Sequence, residues 1–196
     1  MTLNKYQGDL VILTADKDME FFLKGVLNRP ESLGIKLLSF EIYRHPQKDP
    51  GCFLTGHDFL RPFINRYEHA LVILDREGCG KEILDRAKLE DEVEGRLSSS
   101  GWGERSAAIV IDPELENWLW SSSPEVDTVL GWKGKSPKLC TWLSDKGFLS
   151  GEAVKPRPPK QALQEALRYV RKPWSSSLFH QIAKKVSLQR CSDPAF

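Results

Sequence analysis

Acidic residues recur where short apolar stretches of the sequence end. Asp75 and Glu77 follow the stretch ALVIL, Asp16 follows LVILT, and Glu114 and Glu116 lie just beyond SAAIVID. Apolar stretches of this length are typical of strands in a parallel sheet, whose carboxyl ends meet at one edge and carry the functional groups. The sequence therefore predicts an acidic functional site at that edge.

Asp75 and Glu77 have the spacing expected of a divalent metal site. In an extended chain, side chains two positions apart point the same way. Two carboxylates about 5 Å apart repel by roughly 3 kcal/mol at an effective dielectric constant of about 20, so a cation is needed to neutralise them. Mg²⁺ (or Mn²⁺) suits such a sparse site, because Mg²⁺ takes one or two carboxylates and completes its shell with water and phosphate. Glu116, beyond the next strand, is a candidate third ligand.

Each of these acids also has a purely structural interpretation. Asp75 could cap the following helix, with Glu77 as a first-turn acid favoured by the helix dipole. Glu114 and Glu116 could likewise be first-turn acids of a helix that begins at Pro113. The sequence alone leaves both interpretations open.

The elements that would position these acids alternate between strand and helix. Strands are predicted at residues 9–14, 34–46, 70–75 and 106–112. Helices are predicted from Asp16 to Pro30, from residue 57 through the next apolar face, over 80–97 and from Pro113, with a polar loop at 47–56. This alternation predicts an α/β fold with a parallel sheet and helices on both faces.

The texture of the chain changes after residue 121, where Ser, Gly and Pro become frequent. We predict an α/β core at residues 1–121. Residues 122–196 are predicted to be a loop-rich segment with a short helix near 139–143 and a helical C-terminal extension. That extension has two helices, at 159–172 and 176–190, the second capped by Ser175 or Ser176.

The composition excludes several classes of protein. The net charge is +1, so no global positive field indicates nucleic-acid binding. No apolar run approaches the roughly 18 residues of a membrane span, which predicts no membrane partner and a cytoplasmic location. The four cysteines form no CxxC pair, so they are expected to be reduced thiols rather than zinc ligands. The glycines of DREGCGK lack the spacing of a P-loop.

Basic residues of the second half could nevertheless track a phosphate backbone. These candidates for nucleic-acid binding are Lys133, Lys135, Lys160, Arg171 and Lys172. Trp132 could stack on a base beside them. The alternative is a solvated loop followed by ordinary amphipathic helices. None of the four histidines has ligand spacing, and none is assigned to catalysis.

Three segments resemble the Toprim fold and, within it, the Toprim-like proteins of bacterial antiviral defence systems. DLVILTADKDMEFFLKGVL resembles the first strand and acidic helix start of that family, LVILDREGCG its Asp-x-Asp strand, and IDPELENWLW its Glu-x-x-Trp segment. The resemblance extends over nearly the full chain and includes the RloB-like and related families; the small component of methylation-associated defence systems is the most similar. It implies a Toprim/Rossmann-like parallel sheet.

The resemblance also implies Mg²⁺-dependent phosphodiester hydrolysis of nucleic acid. Asp75 and Glu77, with Glu116, would hold the metal, and Asp16, or alternatively Glu20, would act as acid or base. The chain departs from the family pattern twice, because the position of the first glutamate holds Thr14 or Ala15, with Asp16 the nearest acid, and the second aspartate of Asp-x-Asp is Glu77. The alternative is a non-catalytic docking or sensing subunit, with other defence-system proteins as its partners.

Overall fold

The structure is a computed structural model that describes residues 6–121, 123–151, 153, 155–187, 191 and 193–195. The chain forms two compact units. The first comprises Met1–Glu20 and Lys36–Pro113, together with Ala195. The second comprises Phe21–Ile35 and Glu114–Pro194. The sequence-based division at residue 121 follows composition, whereas these units also assign residues 21–35 and 114–121 to the second body.

The first unit contains a four-stranded sheet in which every neighbouring pair is parallel. Its strands are β1 (Gly8–Thr14), β2 (Phe40–Arg44), β3 (Tyr67–Asp75) and β4 (Ser106–Ile111). Their order in the sheet is β2-β1-β3-β4. The predicted α/β class with a parallel sheet is therefore confirmed.

Helices connect the strands and make up most of the second unit. Those of the first half are α1 (Lys17–Leu27), α2 (Pro30–Leu33), α3 (Lys48–Leu60) and α4 (Arg86–Leu97). Those of the second half are α5 (Glu116–Leu119), α6 (Pro124–Leu130), α7 (Leu139–Asp145), α8 (Pro159–Val170) and α9 (Ser176–Lys185). None of the helices within the described ranges is long and apolar enough to cross a membrane.

The central strand β1 is covered on both faces. Its consecutive residues Val11, Ile12 and Leu13 are fully buried, and side chains that follow one another in a strand point to opposite faces. On one face, α3 packs against β1 and β3, α4 packs against β4, and the two helices contact each other. Burial on both faces explains why the strand reads as a continuous apolar run.

Helix α3 occupies the segment that the sequence predicts to be a polar loop, so this prediction is wrong. Pro50 lies in its first turn, where a missing N–H costs no helical hydrogen bond. Gly51 and Gly56 are buried, and a Cβ on Gly51 would lie 1.9 Å from Nδ1 of His45. The glycines therefore reflect close packing rather than a loop. The helix ends at Leu60.

Other element boundaries differ from the sequence prediction. Strand β2 begins at Phe40, six residues later than expected, and α4 begins at Arg86 rather than at residue 80. Ile83, which lies within the predicted range of that helix, is 94% exposed. Asp85 is the residue that caps α4, because its side chain accepts the N–H of Lys88 at 2.9 Å.

Among the described residues, the second unit contains two helices that the sequence does not indicate, the short α2 and α6. Helix α6 lies in the stretch predicted to be loop, whereas α7, α8 and α9 occupy the predicted places. Helix α5 begins at Glu116, not at Pro113. Ser175 is the N-cap residue of α9, although its side chain accepts no capping hydrogen bond. The end predicted for α9 includes residues 188–190, which lie outside the described residues.

Candidate functional site

The strand order places a switch point between β1 and β3. From β1 the chain moves to β2 on one side, and it later returns to β3 on the other side. In open parallel sheets, the crevice at such a point, outside the carboxyl ends of the strands, is where ligands bind. Asp16 follows the end of β1, and Asp75 is the last residue of β3. Two of the predicted site residues thus flank the switch point.

Asp16 is held in place by the start of α1. Its Oδ1 accepts the main-chain N–H of Met19 at 3.0 Å, which is the geometry of a helix cap. The hydroxyl of the buried Thr14 donates to the carbonyl oxygen of Tyr43 at 3.2 Å and lies 3.3 Å from that of Asp16. The turn after β1 is therefore fixed by local hydrogen bonds, and Asp16 itself is exposed.

A third acid, Asp49, lies beside Asp75. The N–H of Asp75 donates to Oδ1 of Asp49 at 2.8 Å, which ties the first turn of α3 to the end of β3. Asp49 was not predicted from the sequence as a site residue, because its segment was expected to be a loop. The stretch KDPG did contain a signal for a helix start, since an acid is favoured in the first turn of a helix.

The charges of these acids act on the thiol of Cys52. Cys52 is fully buried, and burial is the main reason that its pKa lies far above the ordinary value. The carboxylates of Asp49, Asp16 and Asp75 raise this pKa further. Such effects fall with distance, so Asp16 and Asp75 act on this thiol from the ends of β1 and β3, and Asp49 acts on it from the first turn of α3.

Glu77 is placed differently from Asp75. The strand ends at Asp75, and Glu77 is an exposed residue of the following turn, with its N–H donated to the carbonyl oxygen of Pro113 at 2.9 Å. The two-residue alternation of an extended chain therefore no longer orients the Glu77 side chain. The capping alternative for Asp75 is also wrong, because Asp85 caps α4.

The glycine-containing turn after β3 binds a carboxylate of its own chain. The N–H groups of Gly78 and Gly80 donate to Oε1 of Glu82 at 3.0 and 3.1 Å. Hydrogen bonds from the main chain of Glu82, Gly80 and Gly78 hold the pKa of Glu82 below its ordinary value. Arg76 closes the same turn by donating to the carbonyl oxygens of Leu84 and Glu82, at 3.2 and 2.9 Å.

An open cleft of about 750 Å³ adjoins the ends of β1 and β2 in the first unit. It is lined by acids from the start of α1, Asp16, Asp18 and Glu20, and by the bases Lys17, Arg44 and Lys48. Nε of Arg44 lies 3.1 Å from Oε2 of Glu20. The cleft therefore presents both signs of charge, as a site for a metal and a phosphate requires.

His45 also lines this cleft but has a structural role. Its Nδ1 accepts the N–H of Gln47 at 3.1 Å, and its Nε2 lies 3.1 Å from Oγ1 of Thr55, whose hydroxyl donates to the carbonyl oxygen of Gly51. Burial lowers the pKa of His45 below its ordinary value. The ring is therefore neutral at pH 7, with the proton on Nε2, and both nitrogens have protein partners.

We expect His45 to make the protein less stable in mild acid. Below pH about 6.5 the unfolded histidine binds a proton that folded His45 does not, so the free energy of unfolding falls as the pH falls. Between pH 7 and pH 5.5, His45→Gln should lose less stability than the wild type, by up to about 1 kcal/mol. Urea denaturation at each pH measures this difference. The exposed His69→Gln is the control, and equal slopes in all three proteins would contradict the prediction.

The remaining candidates lie in the second unit. Glu116 is buried at the first residue of α5. Lys160 pairs with the buried Glu114, with 3.3 Å between Nζ and Oε2, and the ammonium group of Lys172 donates to the carbonyl oxygen of Val129. The other three bases are exposed: Lys133, Lys135 and Arg171.

Within the described part of the chain, no group of three or more His, Cys, Asp or Glu side chains is arranged to hold a metal ion. A site for Mg²⁺ needs fewer protein ligands, because this ion keeps several waters and binds substrate phosphate. Asp16 and Asp75 provide a carboxylate from each side of the switch point. The donor set is therefore of the type that fits Mg²⁺ and does not fit a structural Zn²⁺ site.

The fold and these side chains together define a parallel α/β protein with an acidic cluster at its switch point. Comparison of the chain with protein-family models, with curated proteins and with solved structures gives no match.

Proposed function

We propose that this protein hydrolyses phosphodiester bonds of nucleic acid with the help of Mg²⁺ or Mn²⁺. The observation that carries the proposal is that Asp16 and Asp75 flank the sheet's switch point, with Asp49 accepting the main-chain N–H of Asp75. Like charges brought together repel, so a cation between them is favourable. The basic residues of the adjoining cleft supply the complementary charge for a phosphate.

Asp75 is the principal metal ligand in this proposal, and Asp16 lies across the switch point from it as the candidate acid or base. Glu77, which follows in the turn, remains a predicted ligand, as does Glu116 in the second unit. When bound, the ion would polarise the phosphoryl oxygen and lower the pKa of a bound water. Asp49 positions Asp75 by accepting its main-chain N–H.

The basic side chains of the cleft have the task of binding the phosphate. Lys17, Arg44 and Lys48 line the cleft together, and the ion pair with Glu20 orients the guanidinium of Arg44. Because Glu20 is committed to this pair, Asp16 is the better candidate for the acid or base. The cleft is open, which suits a polymeric substrate better than an enclosed small molecule.

The resemblance to Toprim-like proteins supports the same reaction class. It adds the expectation that the chain acts in bacterial antiviral defence, together with other proteins of such a system. These partners are proposed from the resemblance alone.

The metal requirement is the direct test of this proposal. Purified protein incubated with single- and double-stranded DNA and RNA should cleave one of them in Mg²⁺ or Mn²⁺ and none of them in EDTA. Calorimetric titration of the protein with Mn²⁺ should show saturable binding that Asp75→Ala weakens by about 10-fold or more. Cleavage that persists in EDTA, or that survives both Asp75→Ala and Glu77→Ala, would refute the assignment.

A second candidate function is a docking or sensing subunit that keeps the fold without catalysis. The observation in its favour is that no three potential ligands in the described ranges form a metal group. The same calorimetry separates the two functions. Failure to bind either ion at millimolar concentration, together with tight association with a protein encoded by a neighbouring gene, would establish the docking subunit.

A further inference from the structure

Three aromatic rings of the second unit form a cluster with one exposed member. Trp132 and Tyr169 stack with their ring centroids 5.0 Å apart and their planes 12° apart. Trp142 lies 5.2 Å from Trp132 and 5.5 Å from Tyr169. Trp132 and Trp142 are buried, at 2% and 5% exposure, whereas Tyr169 is 49% exposed.

Tyr169 therefore presents a ring face to solvent from a fixed position. Trp132 covers one face of its ring, so only the opposite face, the ring edge and the main chain can contribute to the 49% exposure of this residue. Two buried indoles hold the ring in place, so little rotamer freedom remains to be lost when a ligand stacks on it. The sequence pointed to Trp132 as the stacking residue, but its burial makes Tyr169 the accessible ring.

Basic residues are concentrated in the two segments that the aromatic cluster holds together. Residues 131–146 and 167–172 contain seven lysines and arginines and one acid, Asp145. Gly131 ends α6 with a left-handed conformation at φ 83°, and the turn that follows carries the exposed Lys133 and Lys135. Arg168 and Arg171 are exposed beside Tyr169 at the end of α8.

We propose that this surface, defined by Tyr169, Lys133, Lys135, Arg168 and Arg171, binds single-stranded nucleic acid. A base stacks on the open face of Tyr169, and the four basic side chains contact the phosphates on either side. An aromatic platform within a basic surface is the combination that binds single strands without sequence preference. The inference rests on the proposed function and names its substrate class.

A duplex fits this surface less well than a single strand. The bases of a duplex are stacked on one another, so none has a face free for Tyr169 without unpairing. An acidic protein segment could neutralise the bases, but it would not use the ring face. The test therefore has to separate stacking from charge.

Binding is measured by fluorescence anisotropy with labelled oligothymidylate and oligouridylate in EDTA, so that cleavage plays no part. Tyr169→Leu should weaken binding by about 10-fold or more, because stacking is lost while Trp132 stays covered. Tyr169→Phe should stay within about twofold of the wild type, since the ring remains. Near-ultraviolet circular dichroism of each variant checks that the aromatic cluster is intact.

The charge contribution is tested by Lys133→Gln/Lys135→Gln. Removing two phosphate contacts should reduce the slope of log affinity against log salt by about 1.4. Lys184→Gln/Lys185→Gln, in the last turn of α9, removes the same charge elsewhere and should leave that slope within about 0.3 of the wild type.

The inference is overturned if the wild type binds neither oligonucleotide, or if Tyr169→Leu and Tyr169→Phe bind alike. It is also overturned if a matched duplex binds as tightly as the single strand. Failure of the proposed function has a different signature: tight, Tyr169-dependent binding in EDTA with no cleavage when Mg²⁺ or Mn²⁺ is added.

Discussion

Asp75→Asn should abolish metal-dependent cleavage while making the metal-free protein more stable. The substitution keeps the shape of the side chain and the main-chain N–H that Asp49 accepts. It removes one of three carboxylates whose charges act on the Cys52 thiol, so repulsion among the remaining charges falls. Loss of a metal ligand should reduce the rate by at least about 100-fold, since such a ligand supports several kcal/mol of transition-state stabilisation.

Thermal unfolding in EDTA and in Mg²⁺ measures the expected change in stability. In EDTA the variant should unfold at a higher temperature than the wild type. In Mg²⁺ the wild type should gain stability, because a ligand that binds only the folded state stabilises it. The variant should gain much less.

A matched control shows whether the acidic cluster itself is responsible. Asp91→Asn removes one carboxylate from the exposed surface of α4 and should change neither the cleavage rate nor the response to Mg²⁺. If Asp75→Asn proves less stable than the wild type in EDTA, the three carboxylates do not repel as argued. An unchanged rate would exclude Asp75 as a ligand.

Gly51→Ala should cost the protein about 2–4 kcal/mol of unfolding free energy. The added Cβ would lie 1.9 Å from Nδ1 and 2.3 Å from Cε1 of His45. The ring is buried and hydrogen-bonded through both nitrogens, so it cannot move without losing the bonds to Gln47 and Thr55. Urea denaturation gives the free energy of unfolding directly.

Gly95→Ala is the matched control, because Gly95 is also a helical glycine. Nothing lies within 4 Å of a Cβ built at Gly95 in α4. Alanine there should raise the free energy of unfolding by about 0.5–1 kcal/mol, since it restricts the unfolded chain. The two substitutions are chemically identical and should have opposite signs. A neutral Gly51→Ala would mean that His45 is not fixed in the way described.

The parallel sheet could be predicted because its inner strands are buried on both faces. That burial makes β1 and the end of β3 continuous apolar runs, which indicate parallel strands by composition alone. Helix α3 could not be predicted in the same way. Pro50, Gly51 and Gly56 indicate a loop locally, and only the tertiary packing around His45 shows why small residues are needed.

The candidate site was predictable to a similar extent. Asp16 and Asp75 follow from the rule that strand ends meet at one edge of a sheet. Asp49 does not, because it lies in α3, which the sequence predicted to be a loop. The orientation predicted for Glu77 assumed that the chain stays extended beyond Asp75, whereas β3 ends at Asp75 and Glu77 lies in the turn that follows.

The turn after β3 has one further consequence for any phosphate that approaches the site. The N–H groups of Gly78 and Gly80 form an anion-binding concavity, and Glu82 already fills it from within the chain. A tethered ligand acts at an effective concentration in the millimolar range or above. A phosphate could bind to these N–H groups only by displacing the Glu82 carboxylate, so the turn excludes anions that bind weakly. The acidic cluster stays accessible to cations.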